Sequence, residues 1–339
     1  MPTPHPAIPL RNGFPSWCLA SVAAALIGGA CGAADPQAKE GEKEPPPEPE
    51  VVTLPTTDGV EIGAWVYRVA DDTEPLATVL LLHDLGGSHK TVEPLAKALQ
   101  AGGCNVVAPD LRGHGESQIP QRAKAAGEPD QASVLKNPDF VAMTATGGGR
   151  VRDQSATRGD LEVIRNWIKQ QTGESKVDLD DLYIVGSGLG ATVGAAWTVL
   201  DAAWPPIASG PQGGDVRGLV MIDPAFVTKG FTLGKPLAIE PVKSTLPLMI
   251  IGGDEGDSAK VFDQLKRARP SGWYDSRLFD AETRKNTSPA KDSEASLLFL
   301  KLGGKLTGDR LAAARSTDPR QPDPAKLILA FIQTTAARR

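Results

Sequence analysis

Four short apolar runs constrain the fold more than any other feature: ATVLLLH at 77–83, LYIVG at 182–186, GLVMID at 218–223 and LPLMIIGG at 246–253. A fifth, NVVAPD at 105–110, is shorter. Each run is continuous rather than alternating, the pattern of a strand buried on both faces of a parallel sheet. Helical patterns lie between them. TVEPLAKALQAGG sets Val92, Leu95 and Leu99 on one face and stops at Gly102. DLEVIRNWIKQQ groups Leu161, Ile164, Trp167 and Ile168, and PAKLILAFIQ at 324–333 supplies a final helix. Strand and helix alternating in this way predict an α/β domain with a doubly wound, mostly parallel sheet. Residues 51–68 read as an antiparallel lead-in, with TTDG as the turn between two strands.

The 339 residues suffice for one large domain with tails. Three segments are expected. Residues 1–34 read as an export signal, because Arg11 is the one charge before Asp35 and the apolar run CLASVAAALIGGA ends in the small residues CGAA. That run is too short to span a bilayer but suits a signal h-region. Cleavage after Ala34 leaves Asp35 as the new start. The rival readings are lipid attachment at Cys31, which would fix the chain to a cell envelope, and a cytosolic protein with an apolar start. Residues 35–50, DPQAKEGEKEPPPEPE, form an acidic proline-rich tether that cannot bury a core. Residues 51–335 are the folded domain. Cleavage removes Cys18 and Cys31 and leaves Cys104, in the strand CNVVAPD, as a buried packing thiol.

The formal net charge of −5, without a basic run, argues against nucleic acid as a partner. Residues 118–158 read as a polar surface insertion with a GGG at 147–149, and residues 271–295 read as similarly irregular. There is no HExxH and no Cys/His cluster, so no metal is expected. GSGLGATVG misses the spacing of a dinucleotide loop, so no cofactor is expected either.

The succession of a strand, HDLGG at 83–87, a helix, a strand, DLRGHGES at 110–117, a helix, a strand and GSGLG at 186–190 resembles the α/β-hydrolase superfamily of esterases, lipases and serine aminopeptidases. Its H-G-x-G-G loop appears as His83, Asp84, Leu85, Gly86 and Gly87. Its D-x-R-G-H-G-x-S stretch appears as Asp110, Arg112, Gly113, His114, Gly115 and Ser117. YIVGSGLGATVG has the layout of its nucleophile elbow. The twenty or so residues between Asp223 and Leu246 are too few for the large cap many members carry.

The resemblance implies a serine, a histidine and a carboxylate that meet at one site. At the elbow tip this chain has Gly188, and its serine, Ser187, stands one place early. The four histidines are His5, His83, His89 and His114, whereas the resemblance puts the catalytic one after the last strand. That region offers Lys301, Lys305, Thr307 and Asp309 instead. His83 and His114 sit in loops expected to be architectural. Asp254 and Asp257 lie where the family keeps its carboxylate, with Asp223 as an alternative acid position. Without a histidine to orient, Asp254, Glu255 and Asp257 are expected as turn residues or as a cap for the helix SAKVFDQL.

An oxyanion-hole remnant is expected from the backbone N–H groups of Leu85 and Leu189, able to hold an anion, a carbonyl oxygen or water. A serine placed at position 188 would stand near that pair. Trp197, Trp204 and Trp273 are candidates for lining a pocket, with core packing the default. The expected reading is a degenerate member without hydrolase activity, serving as a binding or interaction module for a small molecule or protein. The alternatives are a serine hydrolase with an unorthodox site, and another enzyme that uses the oxyanion pocket with an acid such as Asp223.

Overall fold

A computed structural model describes residues 46–70, 73–120, 131–145, 159–171, 177–206, 208, 213–316 and 322–338. The expected leader, and the tether up to residue 45, lie outside the described residues.

The chain opens with the antiparallel pair β1 (Glu50–Pro55) and β2 (Glu61–Tyr67), joined by the predicted Thr56–Gly59 turn. Then follow β3 (Ala77–Leu82), α1 (His89–Ala101), β4 (Cys104–Pro109), α2 (Asn137–Thr144) and α3 (Asp160–Gln171). The middle of the chain supplies β5 (Leu182–Ser187), α4 (Leu189–Ala202), β6 (Val216–Ile222) and the small hairpin β7 (Val227–Thr228) with β8 (Phe231–Thr232). The last part contains β9 (Leu248–Gly252), α5 (Ser258–Lys266), β10 (Trp273–Asp275), the pair β11 (Phe279–Asp280) and β12 (Lys285–Asn286), β13 (Leu297–Lys301), α6 (Gly308–Ala312) and α7 (Pro324–Ala336).

Among the described residues nine strands form one sheet in the order β1-β2-β4-β3-β5-β6-β9-β13-β10. The pairings β1–β2 and β2–β4 are antiparallel and the rest are parallel. The period of two along each strand splits neighbouring side chains between two cores. Leu80, Leu82, Ile184, Leu219 and Ile250 face α3, α4 and α5. Val79, Leu81, Val185, Val220 and Ile251 face α1, α6 and α7. Both faces are covered, which is why the runs are continuously apolar. Cys104 is buried in β4, and burial pushes its thiol up to about 12.

Three segments differ from expectation. SLLFLK reads as part of a loop, but residues 297–301 form β13, beside β9. The stretch 271–295 supplies the edge strand β10, too short at three residues to show periodicity. The insertion contributes the packed helix α2, with Phe140 and Met143 buried and Phe140 stacked on Phe231 at 5.5 Å.

Candidate functional site

The strand β5 is fifth of nine, so it delivers its C-terminal end to the middle of the sheet edge. The chain turns there through Gly188, with φ 49° and ψ −111°, and enters α4 directly. That backbone conformation favours glycine over any L-residue. Close packing of α4 follows from a second glycine, since a Cβ on Gly190 would lie 2.4 Å from the Leu82 carbonyl oxygen.

Gly188 presents no side chain, and the space beside it is filled. An ideal Cβ at 188 would lie 1.9 Å from Asp84 Oδ1 and 2.1 Å from its Cγ. The same Oδ1 accepts hydrogen bonds from the Leu85 N–H at 2.7 Å and the Leu189 N–H at 2.8 Å. The two backbone donors thus converge on one point, and Asp84's own carboxylate occupies it. A serine at 188 would therefore collide with Asp84 rather than stand free beside the N–H pair.

The short helix α6, in the region after β13 that lacks a histidine, brings Asp309 to the same place. Asp309 Oδ1 accepts from the Asp84 N–H at 2.8 Å, and Oδ2 accepts from Thr91 Oγ1 at 2.5 Å. Burial pushes both carboxyls above the usual carboxylate range. Each is pulled back by its hydrogen-bond donors, and the charge of Asp309 raises Asp84 further. Asp223, after β6, adds a third acid: its Oδ2 accepts from the Gly308 N–H at 2.9 Å. Burial raises its pKa, and the negative charges of Asp84 and Asp257 add to the rise.

Ser187 closes β5 beneath the tip and is fully buried. Its Oγ is close enough to Asp309 to lower that carboxyl's pKa, yet reaches hydrogen-bonding geometry with no partner among the described residues. Burial withholds it from any substrate approaching the elbow.

The other expected acids lead elsewhere. Asp254 pairs with Lys301 at 3.0 Å and accepts from the Gly304 N–H at 3.0 Å. Asp257 stands at the N-terminus of α5, but its side chain does not cap that helix; it accepts from the Phe226 N–H at 3.0 Å. Trp197 is buried in the core and Trp273 packs edge-to-face on Phe262, so neither lines the elbow. Trp204 lies half-buried just beyond α4.

Both loop histidines are buried against backbone groups. His83 Nδ1 donates to the Asp84 carbonyl at 2.7 Å, and Nε2 accepts from the Leu111 N–H at 2.9 Å. Burial, reinforced by the charge His114 would carry, lowers the His83 pKa to about 3, so the ring stays neutral. His114 is buried, with Nδ1 3.1 Å from the Arg112 carbonyl oxygen. Arg112 forks onto Asp160 and Asp58, with shortest contacts of 2.6 and 2.5 Å. Asp110 accepts from the His89 and Glu116 N–H groups at 2.6 and 2.8 Å, and the loop is tied to β2 where the Asp110 N–H donates to the Gly63 carbonyl at 2.9 Å and the Gly63 N–H donates to Ser117 Oγ at 3.0 Å. Among the described residues no three His, Cys, Asp or Glu side chains are grouped to hold a metal ion.

The sequence reasoning missed the plug. Its signal was visible as Asp84, an acid where the related loop has glycine, together with glycine at the elbow tip.

Sheet order, elbow and loop define an α/β-hydrolase architecture. The chain belongs to the Alpha/beta hydrolase family, whose model matches residues 79–335. No curated protein matches it. Among solved structures it is similar to DcsB in complex with a substrate analogue, at 15% identity, 85% of this chain and 99% of that one, TM-score 0.50. It is also similar to a serine hydrolase without lid from Xanthomonas campestris, at 17% identity, 76% and 85% coverage, TM-score 0.41. A third is a putative dienelactone hydrolase from Klebsiella pneumoniae, at 14% identity, 79% and 90% coverage, TM-score 0.47.

Proposed function

We propose that this protein is an exported α/β-hydrolase-like protein that has lost hydrolase chemistry and serves as a binding or interaction module. One observation carries the reading: the Asp84 carboxylate takes up the oxyanion N–H pair and the space of a nucleophile's side chain at once. A substrate carbonyl would have to displace an anion held by two N–H donors, and would then meet no side chain at the tip. Acyl transfer also needs a base to activate its nucleophile. The loop that would carry the histidine presents Asp309, whose oxygens are engaged by Thr91 and the Asp84 N–H. Export rests on the leader-like residues 1–34, and residues 35–50 would precede the folded domain as an extended segment.

The test is labelling of the purified protein with a fluorophosphonate, alongside p-nitrophenyl acetate hydrolysis. No labelling and no turnover above buffer are expected. Labelling that disappears in Ser187→Ala would replace this reading with an active serine hydrolase. Turnover without labelling that disappears in Asp223→Asn would replace it with an acid-dependent enzyme. N-terminal sequencing from the native host tests export: a start at Asp35 is expected, a lipidated Cys31 would mean envelope anchoring, and an intact Met1 would overturn it.

A further inference from the structure

The β1–β2 ribbon carries a second feature, remote in its chemistry from the elbow. Its register pairs Val51 with Trp65, Thr53 with Gly63 and Pro55 with Glu61. Directly paired residues point to the same side of a sheet. The even-numbered side, with Leu54, Ile62, Ala64 and Val66, is buried in the core. The odd-numbered side lies on the α1 face, where Tyr67 is buried and Trp65 half-buried at the start of α1. Beyond that point the face is open: Val51 is 58% exposed, and Thr53 and Glu61 are exposed as well.

This open face forms a groove of about 330 Å³, lined by Val51, Thr53, Glu61, Gly63, Trp65 and Glu116. Trp65 is held rigidly, because one face of its ring stacks on His89 at 3.2 Å and 12°. His89 does not line the groove, so Trp65 offers it the uncovered part of the indole. Gly63 forms the floor. An ideal Cβ there would lie 3.1 Å from the Glu116 Cβ and 3.6 Å from the Trp65 ring, so indole and Glu116 stem flank one point. Glu61, two residues before Gly63, projects from the same side. Among the described residues neither the Glu61 nor the Glu116 carboxylate takes part in an ion pair or side-chain hydrogen bond, and the groove lining contains no cation.

We propose that this groove binds the side chain of an arginine presented by an extended segment of a protein partner. A rigid indole flanked by two carboxylates matches a guanidinium: the planar cation stacks on the aromatic surface while its N–H fork donates to carboxylate oxygens. Desolvation favours arginine over lysine, since a guanidinium is more weakly hydrated than an ammonium. The neighbouring strand supports an extended ligand. Among the described residues β1 pairs with β2 alone, leaving an edge onto which a strand can be added. The inference is independent of whether the elbow is silent, and its readout involves no turnover.

The test is a titration of the full ¹⁵N-labelled chain with acetyl-Gly-Arg-Gly-amide, read at the Trp65 indole N–H. Saturable binding with a Kd of about 1–10 mM is expected for a single anchored side chain. The lysine peptide should bind more weakly and the citrulline peptide should not bind. Glu61→Gln combined with Glu116→Gln leaves the fold intact, as both side chains are exposed, and should weaken binding at least about fivefold. Trp65→Leu, followed instead at the Val51, Thr53 and Gly63 amides that line the groove, should abolish it. No saturable shift in the wild type, equal shifts with citrulline, or unchanged binding in the double glutamine variant would each overturn the proposal.

Discussion

Asp84 and Gly188 form a complementary pair across 104 positions of sequence. The carboxylate of one stands where the side chain of the other would be, 1.9 Å from an ideal Cβ. The pairing explains both departures from the hydrolase pattern together. A side chain at the tip excludes Asp84 from the N–H pair, and Asp84 in the hole excludes a side chain at the tip. Helix α4 begins at Leu189, so its N-terminal dipole adds to the attraction for the carboxylate.

The charge of that carboxylate has a consequence for pH. Asp84 and Asp309 both have folded pKa values raised above the unfolded ones, burial being the first cause. The folded chain therefore holds these protons more tightly than the unfolded chain. The pair contributes relative stability as pH falls through the folded pKa values, levelling off below the unfolded value, and loses it as pH rises. Asp84→Asn keeps an oxygen for the Leu85 and Leu189 N–H groups and removes the repulsion with Asp309. Its Tm should exceed that of the wild type at pH 8, with the difference shrinking toward pH 4. A lower Tm at pH 8 would mean that the N–H pair requires a full negative charge.

Arg112 anchors the loop after β4 through Asp160, which is buried, and Asp58. Arg112→Met should destabilise by about 3–5 kcal/mol, because it strands a buried carboxylate. Burial raises the Asp160 pKa even with Arg112 present, so protonation should soften the loss in acid. Urea unfolding at pH 8 and pH 5 checks this: a loss independent of pH would show that packing, not charge, is what Arg112 supplies.

His83 should show the dependence opposite to that of the Asp84–Asp309 pair. Its folded pKa, about 3, lies below the unfolded value, so the unfolded chain alone takes up the proton between about pH 6.5 and 3. Wild-type stability from this group is complete above that window and falls within it. His83→Ala should lose about 1–3 kcal/mol at pH 7, since the Leu111 N–H loses its buried acceptor, and less at pH 4.5. A protonated His83 ring in the native state at pH 5, seen by ¹⁵N NMR, would contradict the assignment.

How much was legible in the sequence follows the range of the interactions. The central strands declare themselves locally, because a strand covered on both faces is apolar at every position. SLLFLK reads as loop only because the resemblance sets that stretch after the last strand, whereas it forms β13 itself. The missing histidine and the glycine tip could be read directly. The plug could not, because it depends on Asp84 meeting Leu189, 105 residues away, and Asp309, 225 residues away. Asp257 shows a local rule overridden: it holds the N-cap position, yet its carboxylate is taken by the Phe226 N–H.

The pairing of Asp84 with Gly188 can be measured as a coupling energy. Gly188→Ser alone should destabilise by about 2–5 kcal/mol, the sum of overpacking against Asp84 and strain at φ 49°. Asp84→Gly alone should lose about 1–2 kcal/mol, because two N–H groups exchange a carboxylate for water. In the double variant the collision is gone and only strain and solvated N–H groups remain. The combined loss should fall short of the sum by about 1–3 kcal/mol. Urea unfolding of the four proteins closes the cycle, and additive losses would show that Asp84 does not fill the tip space. None of the four should hydrolyse p-nitrophenyl acetate above buffer, since the double variant restores a hydroxyl and an open oxyanion hole but no histidine. Turnover confined to the double variant would show that Asp309 can serve as its base, and that this site stands two substitutions from a working hydrolase.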